Sequence, residues 1–301
     1  MLRPFLLVLA LGLTLPVAAQ SKPAAPLASV PFDVVAGVLV LRNLPFNGQR
    51  GDFILDTGCA YALVVEQAAF PSQLRPQARK GLSAGGATSV YELPVTQFEL
   101  GQVRPPAVAQ ATSLAVFRPA VGPRLLGLLG TGMLRRFEVV LDYAHRRLSL
   151  YALGPHESRA RDFTRRDSVA FTLEKGWPIT VAHVGTAAVL LLLDTGARDS
   201  HLATDFAQAL PAGARPTGTR RETLLTPGGP VAARRATLPM LQVGTTEWRN
   251  VPVVLAPAAR YQSGRALPYQ GILGGSFLSQ EPLVSFHFGR GQLYALTPRK
   301  P

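Results

Sequence analysis

The 301-residue chain has one cysteine, Cys59, and only 16% of its residues are charged. One cysteine excludes an intramolecular disulfide and any zinc site built on several thiolates. The five histidines, His145, His156, His183, His201 and His287, fall in no metal-ligand spacing, and His-Glu-x-x-His does not occur. These absences argue against a catalytic metal. Gly127-x-x-Gly130-x-Gly132 is neither the dinucleotide fingerprint nor a phosphate loop ending in Lys-Ser/Thr, so a buried turn explains it better. Beyond the amino terminus no stretch reaches 18 uncharged apolar residues, so no membrane-spanning helix is expected there. Long uninterrupted helical patterns are missing too. The chain holds 28 Gly and 26 Pro, about 18% together against an average near 12%, which excludes a long helical bundle and predicts many turns.

What is present is enough apolar residue to build a core. At 47% hydrophobic, the chain is not globally disordered, and its length suggests roughly two domains. Lys plus Arg outnumber Asp plus Glu by 31 to 18, a formal charge of +13. The arginine pairs at 135–136, 146–147, 165–166, 220–221 and 234–235 are scattered over both halves, and a nucleic-acid surface would cluster them on one face. An acidic partner, an anionic surface or solubility would each account for the excess.

Residues 1–19 begin with one positive charge, Arg3, continue as an apolar run from Phe5 to Leu15, and end in Val17-Ala18-Ala19. This is the anatomy of a secretory signal peptide cleaved after Ala19. The run is shorter than the roughly 20 residues of a spanning helix, so no stable membrane anchor is expected after cleavage. The mature chain is expected to be exported, periplasmic or secreted. Residues 20–29, rich in Ala and Pro, read as a linker.

The strongest signal is an internal repeat. Phe53-Ile54-Leu55-Asp56-Thr57-Gly58 recurs as Leu191-Leu192-Leu193-Asp194-Thr195-Gly196. Downstream, Leu126-Gly127-Leu128-Leu129-Gly130 recurs as Gly271-Ile272-Leu273-Gly274, and Leu93-Pro94 with Leu100-Gly101 is echoed by Leu238-Pro239 with Val243-Gly244. The aspartates are 138 residues apart and the second landmarks, Gly130 and Gly274, 144 apart. Three landmarks in the same order at nearly constant offset indicate two homologous halves. Short segments rich in Val, Leu and Phe, among them 34–41, 138–141, 147–151, 180–184, 251–255 and 283–288, read as strands. Asn47-Gly48 reads as a hairpin turn. Helices are expected to be short and few, over 204–210 and 67–70. The polar run 154–166 is expected to connect an amino-terminal lobe, 30–153, to a carboxy-terminal lobe, 167–301.

Two Asp-Thr-Gly triplets behind apolar strands, each followed by an apolar-apolar-Gly element, resemble the aspartic proteases of the pepsin and retropepsin type. The resemblance covers most of residues 30–298 and is closest to bacterial retropepsin-like members with both halves on one chain. It implies an all-β, two-lobed acid-protease fold with a few short helices, with Asp56 and Asp194 as the catalytic pair. It further implies that Thr57 and Thr195 tie the two loops together and that Gly58 and Gly196 let the chain turn tightly beside the carboxylates. No cofactor is implied. The expected partner is a peptide or protein substrate in extended conformation, with no nucleic acid, and one chain is expected to suffice for activity.

The residue chemistry leads the same way. Two carboxylates held about 3 Å apart cannot both ionise, so their pKa values split and one proton is shared; aspartic proteases are the familiar instance. The ionised member is a general base for a water between them, and the protonated member polarises the substrate carbonyl. A single Asp-Thr-Gly would read as a turn in which Asp bonds its own backbone; the pair does not. Pepsin-like sites commonly place Ser or Thr after the triplet, where its hydroxyl favours the charged carboxylate. Here Cys59 and Ala197 stand there. A thiol donates weakly and Ala not at all, so the pair is expected to lose protons at higher pH, with activity nearer neutral. Cys59 itself is expected to be a buried structural thiol. The glycine-rich stretch 81–88 is expected to be the flap that covers the cleft, with Gly85 and Gly86 at its tip and Thr88 beside them; 226–230 is its counterpart. The second functional reading is a catalytically inactive protease-like domain that binds extended peptides without cutting them.

Overall fold

A computed structural model describes residues 25–75, 79–83, 86–153, 163–226, 229–257 and 268–298. The expected signal peptide, residues 20–24 of the expected linker, residues 154–162 of the expected connector, Ala84 and Gly85 of the expected flap and residues 227–228 of its counterpart lie outside the described residues.

The chain is an all-β protein of two lobes. Each lobe is an eight-stranded sheet, and the two sheets have the same strand order. In the first, Asp33–Val35, Val38–Phe46 and Gln49–Asp56 lead to Leu125–Gly130, then Leu63–Glu66, Val108–Thr112, Gly86–Pro94 and Arg79–Ser83. In the second, Thr172–Glu174, Trp177–Val184 and Ala187–Leu193 lead to Gly271–Leu273, then His201–Ala203, Thr246–Ala256, Gly229–Val243 and Thr217–Thr226. The repeat read from the sequence is thus a repeat of topology, strand for strand.

The apolar runs become central strands because they are buried on both faces. Leu125–Gly130 is buried throughout. It runs parallel to Gln49–Asp56 and antiparallel to Leu63–Glu66, so it threads between the strands flanking the Asp56 loop. Gly271–Leu273 does the same between Ala187–Leu193 and His201–Ala203. Main-core packing is dense around Phe46, whose ring meets Phe70 edge-on at 5.3 Å. Burying one such ring contributes about 2–3 kcal/mol. The buried carboxylate of Asp52, 4% exposed, is paired: it accepts from Arg42 at 2.6 Å and from the Asn43 amide at 3.0 Å.

A third, six-stranded sheet joins the halves in the order Ala28–Pro31, Arg147–Ala152, Phe137–Asp142, Leu283–His287, Gln292–Pro298 and Phe163–Ala170. Each half contributes three strands, and the middle pair meets antiparallel with Val140 opposite Ser285. Residues 28–29 and 163–166, expected as linker and connector, are strand here because they complete the two edges of this sheet. The expected strand 34–41 is split by a turn at Ala36–Gly37, both at positive φ, 50° and 84°. Asn47–Gly48 is the turn expected of it, at φ 43° and 81°. The helices are short, as expected: Thr204–Ala209 is α-helix and Gln67–Ala69 a single 3₁₀ turn. Among the described residues no helix is long and apolar enough to cross a membrane.

Candidate functional site

The Asp56 loop follows the central strand Gln49–Asp56, and the Asp194 loop follows Ala187–Leu193. The sheets bring the two loops together at the lobe boundary. Thr57 and Thr195, 0% and 1% exposed, make a reciprocal set of hydrogen bonds. The Thr57 amide donates to Thr195 Oγ1 at 3.1 Å, and Thr57 Oγ1 donates to the Leu193 carbonyl at 2.7 Å. The Thr195 amide donates to Thr57 Oγ1 at 3.0 Å, and Thr195 Oγ1 donates to the Leu55 carbonyl at 2.7 Å. Every one of these bonds crosses from one lobe to the other.

The glycines are required by close approach. A Cβ on Gly58 would stand 2.4 Å from Asp194 Cγ, and one on Gly196 would stand 2.5 Å from Asp56 Cγ. Each triplet therefore presses its glycine against the carboxyl of the other half.

Both aspartates are half-buried by accessible surface, yet enclosed enough that burial is the largest force on their ionisation. Burial, then the Asp194 charge and the hydrogen bond that protonated Asp56 donates to Asp194, hold Asp56 well above the usual carboxylate range, against the amides of Cys59 and Gly58. Burial also raises Asp194, but the Gly196 amide, the hydrogen bond from Asp56 and the Ala197 amide oppose it. Two of those donors are close, Gly196 at 2.8 Å and Ala197 at 3.2 Å from Asp194 Oδ1. The Gly196 and Ala197 amides thus favour charge on Asp194, while the two carboxyls, both raised by burial, titrate as a pair.

Cys59 is held well above its ordinary pKa by burial and then by the Asp56 charge. Half-buried where full burial was expected, its thiol stays protonated and packs beside the apolar cluster of Val38, Val40, Ile54, Val64 and Leu128. A neutral, enclosed thiol is a poor nucleophile. Among the described residues no three His, Cys, Asp or Glu side chains group closely enough to hold a metal ion.

Of the expected flap, Gly86 and Thr88 lie on Gly86–Pro94, paired with Arg79–Ser83 as the outermost hairpin of the first sheet. Thr88 Oγ1 lies 3.0 Å from Thr112 Oγ1 on the next strand. The counterpart hairpin, Thr217–Thr226 with Gly229–Val243, is the outermost of the second sheet. It packs against the turn Ala115–Phe117 of the first lobe. A charge network also ties it to the second loop: Arg235 donates to Asp199 at 3.1 and 3.2 Å and to Glu222 at 2.9 Å.

Several site residues escape sequence reading. Thr131 Oγ1 donates to the Thr57 carbonyl at 2.6 Å, buttressing the first loop from behind. Buried Ser200 accepts from the Gly274 amide at 3.2 Å. Trp177 donates across the lobe boundary to the Gly58 carbonyl at 2.9 Å. One signal for Trp177 was available: Lys175-Gly176 repeats the place of Ala36-Gly37 ahead of each motif strand.

Two β-lobes of the same topology thus bring paired Asp-Thr-Gly loops together at their boundary. Residues 178–277 match the family model described as aspartyl protease, so the second lobe carries an aspartyl-protease-family domain, and the first repeats its topology. Among solved structures the chain is similar to the crystal structure of basic 7S globulin from soybean, at 12% identity and a TM-score of 0.47, covering 89% of this chain and 94% of that one. No curated protein sequence matches the chain.

Proposed function

We propose that the chain is an aspartic endopeptidase that hydrolyses peptide bonds through Asp56 and Asp194. The observation that carries this reading is the mutual placement of the two carboxyls, each against the other half's glycine, with one hydrogen-bonded to the other. Asp194, stabilised by two backbone amides, is the ionised member and takes a proton from a water lying between the carboxyls. Asp56, protonated, donates to the carbonyl oxygen of the scissile peptide as the water oxygen bonds to its carbon. The tetrahedral species collapses when the amine leaves with a proton, the C–N bond breaks, and the pair returns to one shared proton. No enzyme-bound covalent intermediate forms, and no cofactor takes part.

The substrate is an extended peptide or unfolded protein, laid between the lobes and held through its backbone. The hairpin bearing Gly86 and Thr88 serves as the flap over it. One chain provides both aspartates, so a monomer suffices. The apolar amino-terminal run supports an exported protein, and amino-terminal sequencing of the mature chain tests cleavage after Ala19.

Because neither Cys59 nor Ala197 gives the pair a hydroxyl donor, activity extends toward neutral pH. An optimum at or below about pH 3 contradicts this part of the proposal. The whole reading is tested by incubating the purified chain with an unfolded protein from acid to neutral pH and identifying products by mass spectrometry. Discrete internal cleavages are expected. Tight binding of extended peptides with no cleavage at any pH favours the inactive, peptide-binding reading instead.

A further inference from the structure

The two lobes hold each other's aspartate loops by different means. The turns Ala36–Gly37 and Lys175–Gly176 occupy equivalent places, each with two residues at positive φ, the conformation of a tight hairpin turn. Gly37 abuts Arg198 and Gly275 of the second lobe, and Gly176 lies against Ala60 of the first. Each turn therefore covers the other lobe's loop. The residue after the first turn is Val38, an aliphatic side chain within its own lobe's cluster. The residue after the second is Trp177, whose indole Nε1–H reaches the Gly58 carbonyl at 2.9 Å.

We propose that Trp177 is a positioning residue for the Asp56 loop, its indole N–H fixing the Gly58–Cys59 peptide from the opposite lobe. The proposal rests on the reading of Asp56 as part of the catalytic pair. The indole is well anchored to do this. Its ring meets Tyr269 edge-on at 6.0 Å and packs on the buried pair Leu192 and Ile272, against which Ala197, the residue after the second triplet, also packs. Trp177 thus rests on the strands behind the Asp194 loop and bonds the Asp56 loop.

The bond acts on Asp56 through one peptide unit. The Gly58 carbonyl and the Cys59 amide belong to the same peptide, so a donor on the carbonyl strengthens the amide as a donor in turn. That amide is one of two that favour the charged form of Asp56. Among the described residues, the titratable groups that face Asp56 are Asp194 and the Cys59 thiol. Trp177 carries no charge, so replacing it alters Asp56 through the hydrogen bond and not through a lost charge.

The test compares the full chain with its Trp177→Phe variant, which keeps a ring against Tyr269 and loses the N–H. Peptide hydrolysis is expected to fall about tenfold in kcat with KM changed less than about twofold, because a loosened loop misplaces the reacting groups. Weaker amide donation raises the Asp56 pKa, so the basic limb of the pH profile moves upward by about half a unit. A ¹³C titration of the Asp56 carboxyl reads the same shift without turnover. An unmoved titration, with or without a lower melting temperature, overturns the proposal, because packing alone would then explain the contact. If the wild-type chain hydrolyses nothing, the carboxyl titration still decides the role of Trp177, and the loss falls on the peptidase reading.

Discussion

Replacing Thr57 with Val tests how the lobes are locked together. Valine has nearly the same shape as threonine, so the change removes a hydroxyl and little volume. That hydroxyl accepts from the Thr195 amide at 3.0 Å and donates to the Leu193 carbonyl at 2.7 Å, in a site with no solvent access. Both partners lie where water does not replace the lost bond. A buried polar group left unpaired costs about 1–3 kcal/mol, so the two together predict a loss of about 2–6 kcal/mol. Thr195→Val removes the mirror-image pair of bonds, to the Thr57 amide and the Leu55 carbonyl. The two variants should therefore lose stability to within about 1 kcal/mol of each other. Thr57→Ser, which restores the hydroxyl, should recover most of it. Urea unfolding followed by far-ultraviolet circular dichroism and by tryptophan fluorescence measures the loss, with agreement of the two probes justifying a single free energy. A loss below about 1 kcal/mol in both variants would refute the reasoning, since the network would then carry no more than an exposed hydrogen bond.

Two further predictions follow from the carboxyl pair. Asp56 has a raised pKa in the folded chain, so its contribution to stability is fully present below the unfolded-state value near 3.9 and is lost as pH rises through the folded value. Asp56→Asn should therefore unfold at a higher temperature than wild type at pH 7, with the gain vanishing near pH 4; an equal or lower melting temperature at pH 7 contradicts the burial argument. Cys59→Ser places a hydroxyl where pepsin-like sites have one, and its donation to the Asp56 carboxylate should move the pH profile toward acid while hydrolysis persists. Complete loss of hydrolysis in folded Cys59→Ser would make the thiol a participant in the chemistry, contrary to its protonated, enclosed state.

Much of the site was legible because it is written twice. Asp56-Thr57-Gly58 and Asp194-Thr195-Gly196 are local strings, and a central parallel strand announces itself as an unbroken apolar run. The turn at Asn47–Gly48 was legible for the same reason, since both residue types tolerate positive φ. Ala36–Gly37 was not, because alanine rarely adopts φ near 50° and the apolar residues around it read as one strand. Strands at 138–141, 147–151 and 283–288 were legible, but the six-stranded sheet that joins them was not. It depends on Phe137–Asp142 meeting Leu283–His287, a pairing across most of the second lobe that no window of sequence contains. Trp177 and the Asp199–Arg235 pair share that difficulty: each is an ordinary residue until the fold brings its partner within reach.

The most direct measurement compares hydrolysis of an unfolded protein by the mature chain with that by Asp56→Asn and Asp194→Asn, each verified as folded. The proposed shared-proton mechanism requires both carboxyls, so the wild-type chain should cleave and both variants should lose activity by at least about a hundredfold. Wild-type cleavage by either variant would contradict the carboxyl pair as the catalytic centre.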